Sequence, residues 1–426
     1  MKLHIGIDLG TSGCRAVAID EDGVIRASAN RPLPKPETPQ PSHYQQDPEI
    51  WWQTLCEVLA EIARVCDTGY LAAISVDGTS STLLLTDHQG RPITPALMYN
   101  DSRSRDQLAL LKRIAPEESP VLSPSSSLSK MLHLHNRVTT NRYRALHQAD
   151  WIAGRLCGEF RYSDENNALK LGYNPIDRAW PSWLSKLQLV DDVLPDVVPS
   201  ATPIGSLSPQ AAQATNLPKG IPVIAGTTDG NAAFIATGAR KIGEAVTSLG
   251  STLVLKILSD KPVFAAEYGV YSHRLGDRWL VSGASNSGGA VLAHYFSDDA
   301  MARMTRNLQP HQATGLDYYP LLAPGERFPV NSVDYPPRLQ PRPGDDLRFF
   351  QGMLEGIANI EAQGYRLLQR LGAPQLKRVF SVGGGAKNQP WAQIRQLKLQ
   401  IPVLLAEHQE AAYGTALLAK RGIEAR

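Results

Sequence analysis

One short pattern occurs twice in this chain and narrows the possible folds more than any other feature. Asp8-Leu9-Gly10-Thr11-Ser12-Gly13 lies near the start, and Ser248-Leu249-Gly250-Ser251-Thr252 lies beyond the middle. Each sets glycine and hydroxyl residues between alternating apolar runs, so each reads as a strand-turn-strand unit built to hold a phosphate. Glycine opens turn conformations closed to other residues and leaves no side chain in a ligand's way. Successive amide N–H groups in such a turn form a positive concavity, and the hydroxyls of Thr11, Ser12, Ser251 and Thr252 add donors for phosphate oxygens. Singly, either stretch is equally an ordinary hairpin turn. The repetition favours a pair of phosphate grips, one in each half. No G-x-x-x-x-G-K-[ST] sequence occurs, which excludes a phosphate loop that opens a helix.

At 426 residues the chain exceeds what one core usually supports, so two domains of similar size are expected. A hydrophobic content of 42% with a net charge of +2 excludes a tail-bearing nucleic-acid binder and a disordered chain. Cys14, Cys56, Cys66 and Cys157 show no C-x-x-C spacing and read as small hydrophobes in a reducing compartment. The strand pattern starts at Leu3-His4-Ile5-Gly6-Ile7 with no charged leader, and no apolar run has membrane-spanning length. The expected location is the cytoplasm, with neither membrane nor nucleic acid as partner.

The first half opens as a meander: Ile5, Ile7 and Leu9, then Ala16 and Ala18, then Val24 to Ala29 after the Glu21-Asp22-Gly23 turn. A proline-rich connector, Pro32 to Pro41, leads to Asp47-Pro48, a helix start with Asp as N-cap and Pro at the first position. Trp51, Leu55, Val58, Leu59 and Ile62 follow at helical spacing. Ala72 to Val76 reads as a strand ending in Asp77-Gly78-Thr79-Ser80, where Asp77 and Ser80 are either pocket residues or turn formers. Ile221 to Gly226 reads as a buried strand running into Thr227-Thr228-Asp229, with a helix from Ala232 to Ala239. An Asp at that junction is also an ordinary N-cap.

The second hairpin, Ala245 to Ser248 and Thr252 to Leu258, begins a new meander, which sets a domain boundary near Gly238 to Gly243. A long helix over Asp345 to Gly372 carries Gly352, Gly356 and Gly364, expected to allow close approach of a neighbour at about 1 kcal/mol each. The strand Val379 to Val382 ends in Gly383-Gly384-Gly385-Ala386-Lys387-Asn388, a bare backbone suited to an adenine or ribose face, with Asn388 to hydrogen-bond it and Trp391 to stack or to anchor the next helix. Two halves that start alike resemble the duplicated actin and hexokinase type of ATPase: an α/β chain of two ribonuclease-H-like domains with a cleft between them.

Five ordered motifs then match a known family: Asp8-Leu9-Gly10-Thr11-Ser12; Gln46-Asp47-Pro48 with Trp51-Trp52; Gly226-Thr227-Thr228-Asp229; Ser248-Leu249-Gly250-Ser251-Thr252; and Gly383-Gly384-Gly385-Ala386 with Asn388 and Trp391. The chain resembles the FGGY carbohydrate kinases from end to end, closing in Glu410-Ala411-Ala412-Tyr413-Gly414-Thr415-Ala416 like the family's last helix. Within the family it looks most like the short plant and cyanobacterial D-ribulose kinases, on Asp77-Gly78-Thr79-Ser80, Asn167 to Tyr173, Gly269 to His273 and Gly283 to Asn286. The resemblance implies a sugar-binding domain over residues 1–240 completed by a helix over 409–426, and a nucleotide-binding domain over 241–408. It implies ATP and Mg²⁺ as cofactors and Asp229 as general base. Asp8 and Thr11 would serve metal and phosphates, with Asp229 beside the metal, and Asp8, Ser80 and Asp229 would line the sugar site. Thr11, Ser12, Gly250, Ser251, Thr252, Gly384, Gly385 and Asn388 would hold the nucleotide. The expected substrate is D-ribulose, with D-xylulose or another small polyol as the alternative and a non-catalytic sugar-binding protein as the rival. Met98-Tyr99-Asn100-Asp101-Ser102-Arg103 departs from many longer relatives, and Arg103 reads there as a surface residue or a weak ion-pair partner.

Overall fold

The structure, a computed structural model, describes residues 2–424. The chain divides into two units: unit 1 runs to Ala236 and resumes at Glu410, and unit 2 spans Thr237–Gln409. Unit 1 opens with the meander β1 (Leu3–Leu9), β2 (Gly13–Ile19) and β3 (Ile25–Pro32). The helix α1 (Pro48–Val65) follows. It begins where it does because the Asp47 carboxylate accepts the Glu49 N–H at 3.0 Å and Pro48 needs no partner for a missing donor. Its stripe of Trp51, Leu55, Val58, Leu59 and Ile62 is buried on β2 and β3. Each such large side chain contributes about 1.5–3 kcal/mol, more than helix propensity supplies.

Next come β4 (Leu71–Gly78), β5 (Leu83–Thr86), α2 (Ser127–His135), β6 (Pro203–Ser206), β7 (Pro222–Thr228) and α3 (Asp229–Ala236). The main sheet of unit 1 has the order β6-β7-β4-β1-β2-β3, with β4 parallel to both β1 and β7. The helix after β7 starts at Asp229 itself, three residues before the expected Ala232. Thr227 and Thr228 are buried in the strand, so no linker separates strand from helix.

Unit 2 repeats the plan. It holds β8 (Glu244–Leu249), β9 (Leu253–Ser259), β10 (Tyr271–Leu275), β11 (Arg278–Ser285), α4 (Asp346–Arg370), β12 (Arg378–Val382), α5 (Gln389–Leu399) and β13 (Val403–Leu405). Its sheet order is β10-β11-β9-β8-β12-β13. β8, β9 and β11 form the meander, β12 lies parallel to β8, and β13 parallel to β12. On α4, an added Cβ would come within 2.8 Å of the Tyr318 carbonyl at Gly356, 2.8 Å of Leu316 at Gly352 and 2.5 Å of Leu255 at Gly364. Only the first of these nearest neighbours is backbone.

The chain then returns to unit 1 as α6 (Ala411–Glu424), which packs on β1, β4 and α3. A Cβ at Gly6 would sit 2.0 Å from the Ala412 carbonyl oxygen, and one at Gly414 1.9 Å from that of Ala232. Glycine lets α6 touch the sheet at Gly6 and the helix α3 at Gly414. All four cysteines are free thiols, and no helix among the described residues is long and apolar enough to cross a membrane.

Candidate active site

The C-terminal ends of the parallel strands of unit 1 gather three aspartates. Asp8 on β1 and Asp77 on β4 are direct register partners, and Asp77 is also paired with Thr227 on β7. Asp229 follows β7 by one residue, half-buried, and its carboxylate accepts the Gly230 N–H at 2.6 Å. That contact lies within its own turn and is not the N2 or N3 bond of an N-cap. Asp77 is fully buried, takes a hydrogen bond from the Thr415 hydroxyl of α6, and leaves Oδ1 without a partner. Burial, then the charge of Asp229, pushes the Asp8 carboxyl up to about 6, against a lowering by Asp77 and Arg15. Burial, then the charge of Asp8, drives Asp77 well above the usual carboxylate range. Burial and mutual repulsion thus favour a proton on this pair of carboxyls over two bare charges.

The β1–β2 turn adjoins this cluster. Gly10 N–H donates to the Gly13 carbonyl at 3.0 Å, and Leu33 N–H donates to the Ser12 carbonyl at 2.9 Å. Asp8, Gly10, Ser12, Gly13, Arg15 and Arg31 help to line a depression of about 400 Å³. Arg15 is paired with Glu410 and Arg31 with Glu61. In unit 2 the β8–β9 turn is braced from outside: Gly289 N–H donates to the Gly250 carbonyl at 2.9 Å and Ala290 N–H to the Ser251 carbonyl at 3.0 Å. Gly288 lies where a Cβ would fall 2.7 Å from the Ser251 carbonyl. This Gly288-Gly289 support was legible only as a glycine pair after a strand. Thr11 and Thr252 are half-buried and Ser12 and Ser251 exposed, so all four hydroxyls are reachable from solvent.

Gly384 and Gly385 sit in a short 3₁₀ turn after β12, with nothing within 4 Å of an added Cβ at Gly384. Asn388 is engaged: its Oδ1 accepts the Trp391 N–H at 2.9 Å as the N-cap of α5, and its Nδ2 donates to Thr305 Oγ1 at 3.1 Å. Trp391 is buried and donates its indole N–H to the Leu354 carbonyl at 3.0 Å. Of the two roles open to it in the sequence, it anchors its helix.

Ser80 is half-buried in the turn after β4, where Thr82 N–H donates to the Thr79 carbonyl at 3.2 Å. Arg103 is not a surface residue. Its side chain is only 13% exposed, donating from Nε to Asp101 at 2.8 Å and from Nη1 to Gln45 at 3.0 Å, while Asp101 is fully buried. The pair holds the Asn100 segment in place. Lys130 of α2, also buried, donates to the Ser81 and Met98 carbonyls at 2.8 and 2.7 Å. Nothing in its local sequence marks it.

Two halves of the actin and hexokinase ATPase type, each opening on a strand-turn-strand unit with a parallel strand beside its first strand, define the class of protein. Residues 3–236 match the N-terminal domain and residues 245–423 the C-terminal domain of the FGGY family of carbohydrate kinases, and the chain belongs to that family. It is 26% identical over 413 residues to a xylulose kinase of Escherichia coli strain K12, covering 92% of this chain and 84% of that one. Among solved structures, a xyloylose kinase from Brucella ovis superposes with TM-score 0.89 at 24% identity, covering 100% of this chain and 91% of that one. A xylulose kinase from Rhodospirillum rubrum gives 0.87 at 24%, covering 99% and 90%.

Proposed function

We propose that this chain transfers the γ-phosphoryl group of ATP to a hydroxyl of a ketopentose, with D-xylulose the leading substrate. The single observation carrying this is Asp229, half-exposed at the head of α3 and near enough to Asp8 to raise its pKa, at the end of the strand beside Asp77. A carboxylate so placed suits the general base: the attacking hydroxyl must lose its proton as the bond to phosphorus forms. The expectation of D-ribulose yields to its own alternative, because the relatives named above are xylulose kinases. D-Ribulose stays as the second reading on Asp77-Gly78-Thr79-Ser80.

In this reading Thr11 and Ser12 hold phosphate oxygens on unit 1. Gly250, Ser251 and Thr252 do so on unit 2, where Gly384 accepts a flat base, Gly385 makes room for the Trp391 ring, which an added Cβ would meet at 2.5 Å, and Asn388 shapes that edge through its cap. Ser80 hydrogen-bonds the sugar. Asp8, whose carboxyl burial and the charge of Asp229 make reluctant to ionise, is a hard oxygen donor of the kind a divalent cation takes, and such a cation would favour its ionised form. Mg²⁺ keeps several waters and takes few protein ligands, so one or two carboxylates would suffice for it. Asp8, with Asp229 nearby, would hold it, and bound there it neutralises charge on the transferring group. A coupled assay of ADP release with D-xylulose, D-ribulose, glycerol and gluconate tests the reading. Turnover well above the sugar-free rate with a pentulose is expected; none with any pentulose would refute it.

A further inference from the structure

Lys130 has no part in the chemistry above, yet its ammonium is fully buried and none of its hydrogen-bond acceptors is a carboxylate. It donates to the carbonyls of Ser81 at 2.8 Å, Met98 at 2.7 Å and Tyr99 at 3.3 Å. An ammonium has three donors, so all are committed to main chain from two separate loops. Burial brings its pKa down to about 7, with Lys170 and Arg103 pushing the same way and Asp101 opposing. The Asp101 carboxylate is itself held by the Tyr44 N–H at 2.6 Å and by Arg103.

Burying a charge costs several kcal/mol, so a residue needed only for packing would be apolar. What the ammonium holds explains its presence. Both loops are tight turns, closed by Thr82 N–H to the Thr79 carbonyl at 3.2 Å and by Asp101 N–H to the Met98 carbonyl at 2.9 Å. Ser81 sits at φ +70°, a left-handed conformation that strains a non-glycine residue and persists only where its surroundings enforce it. Its carbonyl is the one Lys130 takes. The residues these turns carry outward are Ser80, half-buried, and Tyr99 and Asn100, both exposed. α2 is a firm base for the clamp: Ser126 caps it, and Ser127 Oγ lies 2.9 Å from His147 Nε2, whose other nitrogen is 2.8 Å from Asp150.

We propose that Lys130 is a positioning residue for the sugar: it locks the strained Thr79–Thr82 turn to the Met98–Asp101 turn, fixing Ser80, Tyr99 and Asn100 as one wall of the acceptor pocket. The assignment of that wall to sugar rests on the function proposed above; the clamp itself does not. The test uses the full chain with Lys130→Met, Lys130→Arg, Ser81→Gly and the double variant Lys130→Met/Ser81→Gly. It reads amide hydrogen exchange at Thr82 and Asp101 beside KM for pentulose and for ATP. In Lys130→Met, both amides should exchange at least about tenfold faster and pentulose KM should rise about tenfold, with ATP KM within about twofold. Lys130→Arg keeps the charge but not the three-way geometry and should show the same split more weakly, which covers failure of the methionine variant to fold. Adding Ser81→Gly should recover part of the loss, because glycine takes φ > 0 without strain. Unchanged exchange, equal rises in both KM values, or no recovery in the double variant would overturn the clamp. If wild type turns over no sugar while Lys130→Met still loosens both amides, the proposed function falls and the clamp stands.

Discussion

The two halves share a plan and differ in charge at one place. The register that pairs Asp8 with Asp77 in unit 1 pairs Ser248 with Val382 in unit 2. At the end of its first parallel pair, unit 1 holds two carboxylates and unit 2 none. A buried ion pair in unit 2 lies one strand position back and is closed: Arg395 donates to Glu361 twice at 2.7 Å and to Ser381 at 2.7 Å, and Thr247 donates to Glu361 at 2.5 Å. Both members of that pair are almost wholly buried. One fold thus carries an acidic site of paired carboxyls, suited to chemistry, and an ionic site satisfied internally, suited to holding a sheet and helix together.

Substitutions at these places separate the two roles. Asp229→Asn should lower sugar-dependent turnover by roughly 10²- to 10⁴-fold while nucleotide binding, read by titration, stays near wild type; equal turnover would remove Asp229 from the mechanism. Arg395→Met leaves Glu361 buried and unpaired, and should cost about 3–5 kcal/mol in urea unfolding. A loss under 1 kcal/mol would mean the closed network contributes little.

A third test concerns pH. Lys130 has a folded pKa of about 7 against about 10.4 unfolded, so between these values the unfolded state binds the extra proton and stability rises with pH, by at most about 1.4 kcal/mol per unit. The contribution is present above the unfolded value and lost as pH falls through 7. Urea midpoints of wild type should therefore gain on those of Lys130→Met from pH 7 to 9; parallel curves would show that the lysine does not titrate in that window. The smallest effect is expected at the turns. A Cβ at Gly250 meets nothing closer than 3.8 Å, so Gly250→Val has room and should weaken nucleotide binding about tenfold, near 1.4 kcal/mol, with pentulose KM and thermal midpoint unchanged. A change confined to pentulose KM would reverse the division of labour between the units.

What the sequence disclosed was local. Both hairpins, the Asp47-Pro48 cap and the apolar stripe of α1 follow from spacing within a few residues, and Asp229 stands out because a strand pattern stops at it. Asp77 was ambiguous, because a turn former and a buried carboxylate look alike until β1 and β4 are set in register. Arg103 was legible in part for a similar reason: the ion pair was one of its two readings and is present, but its second partner Gln45 is far off in sequence, and the carboxylate two residues before it shows no sign of being buried. Lys130 was invisible, since its acceptors are backbone carbonyls 31, 32 and 49 residues away and carbonyls leave no mark on a sequence. Asn388 carries contacts that its place beside a glycine triplet did not announce: it caps a helix and donates to Thr305.

A crystal structure of the chain with D-xylulose and a non-hydrolysable ATP analogue addresses the acidic site most directly. The accepting hydroxyl should lie about 2.6–3.2 Å from an Asp229 carboxylate oxygen, with the γ-phosphate against the Gly10–Gly13 turn. A pentulose bound with every hydroxyl beyond reach of Asp229, even through one water, would contradict the assignment of this carboxylate as the base.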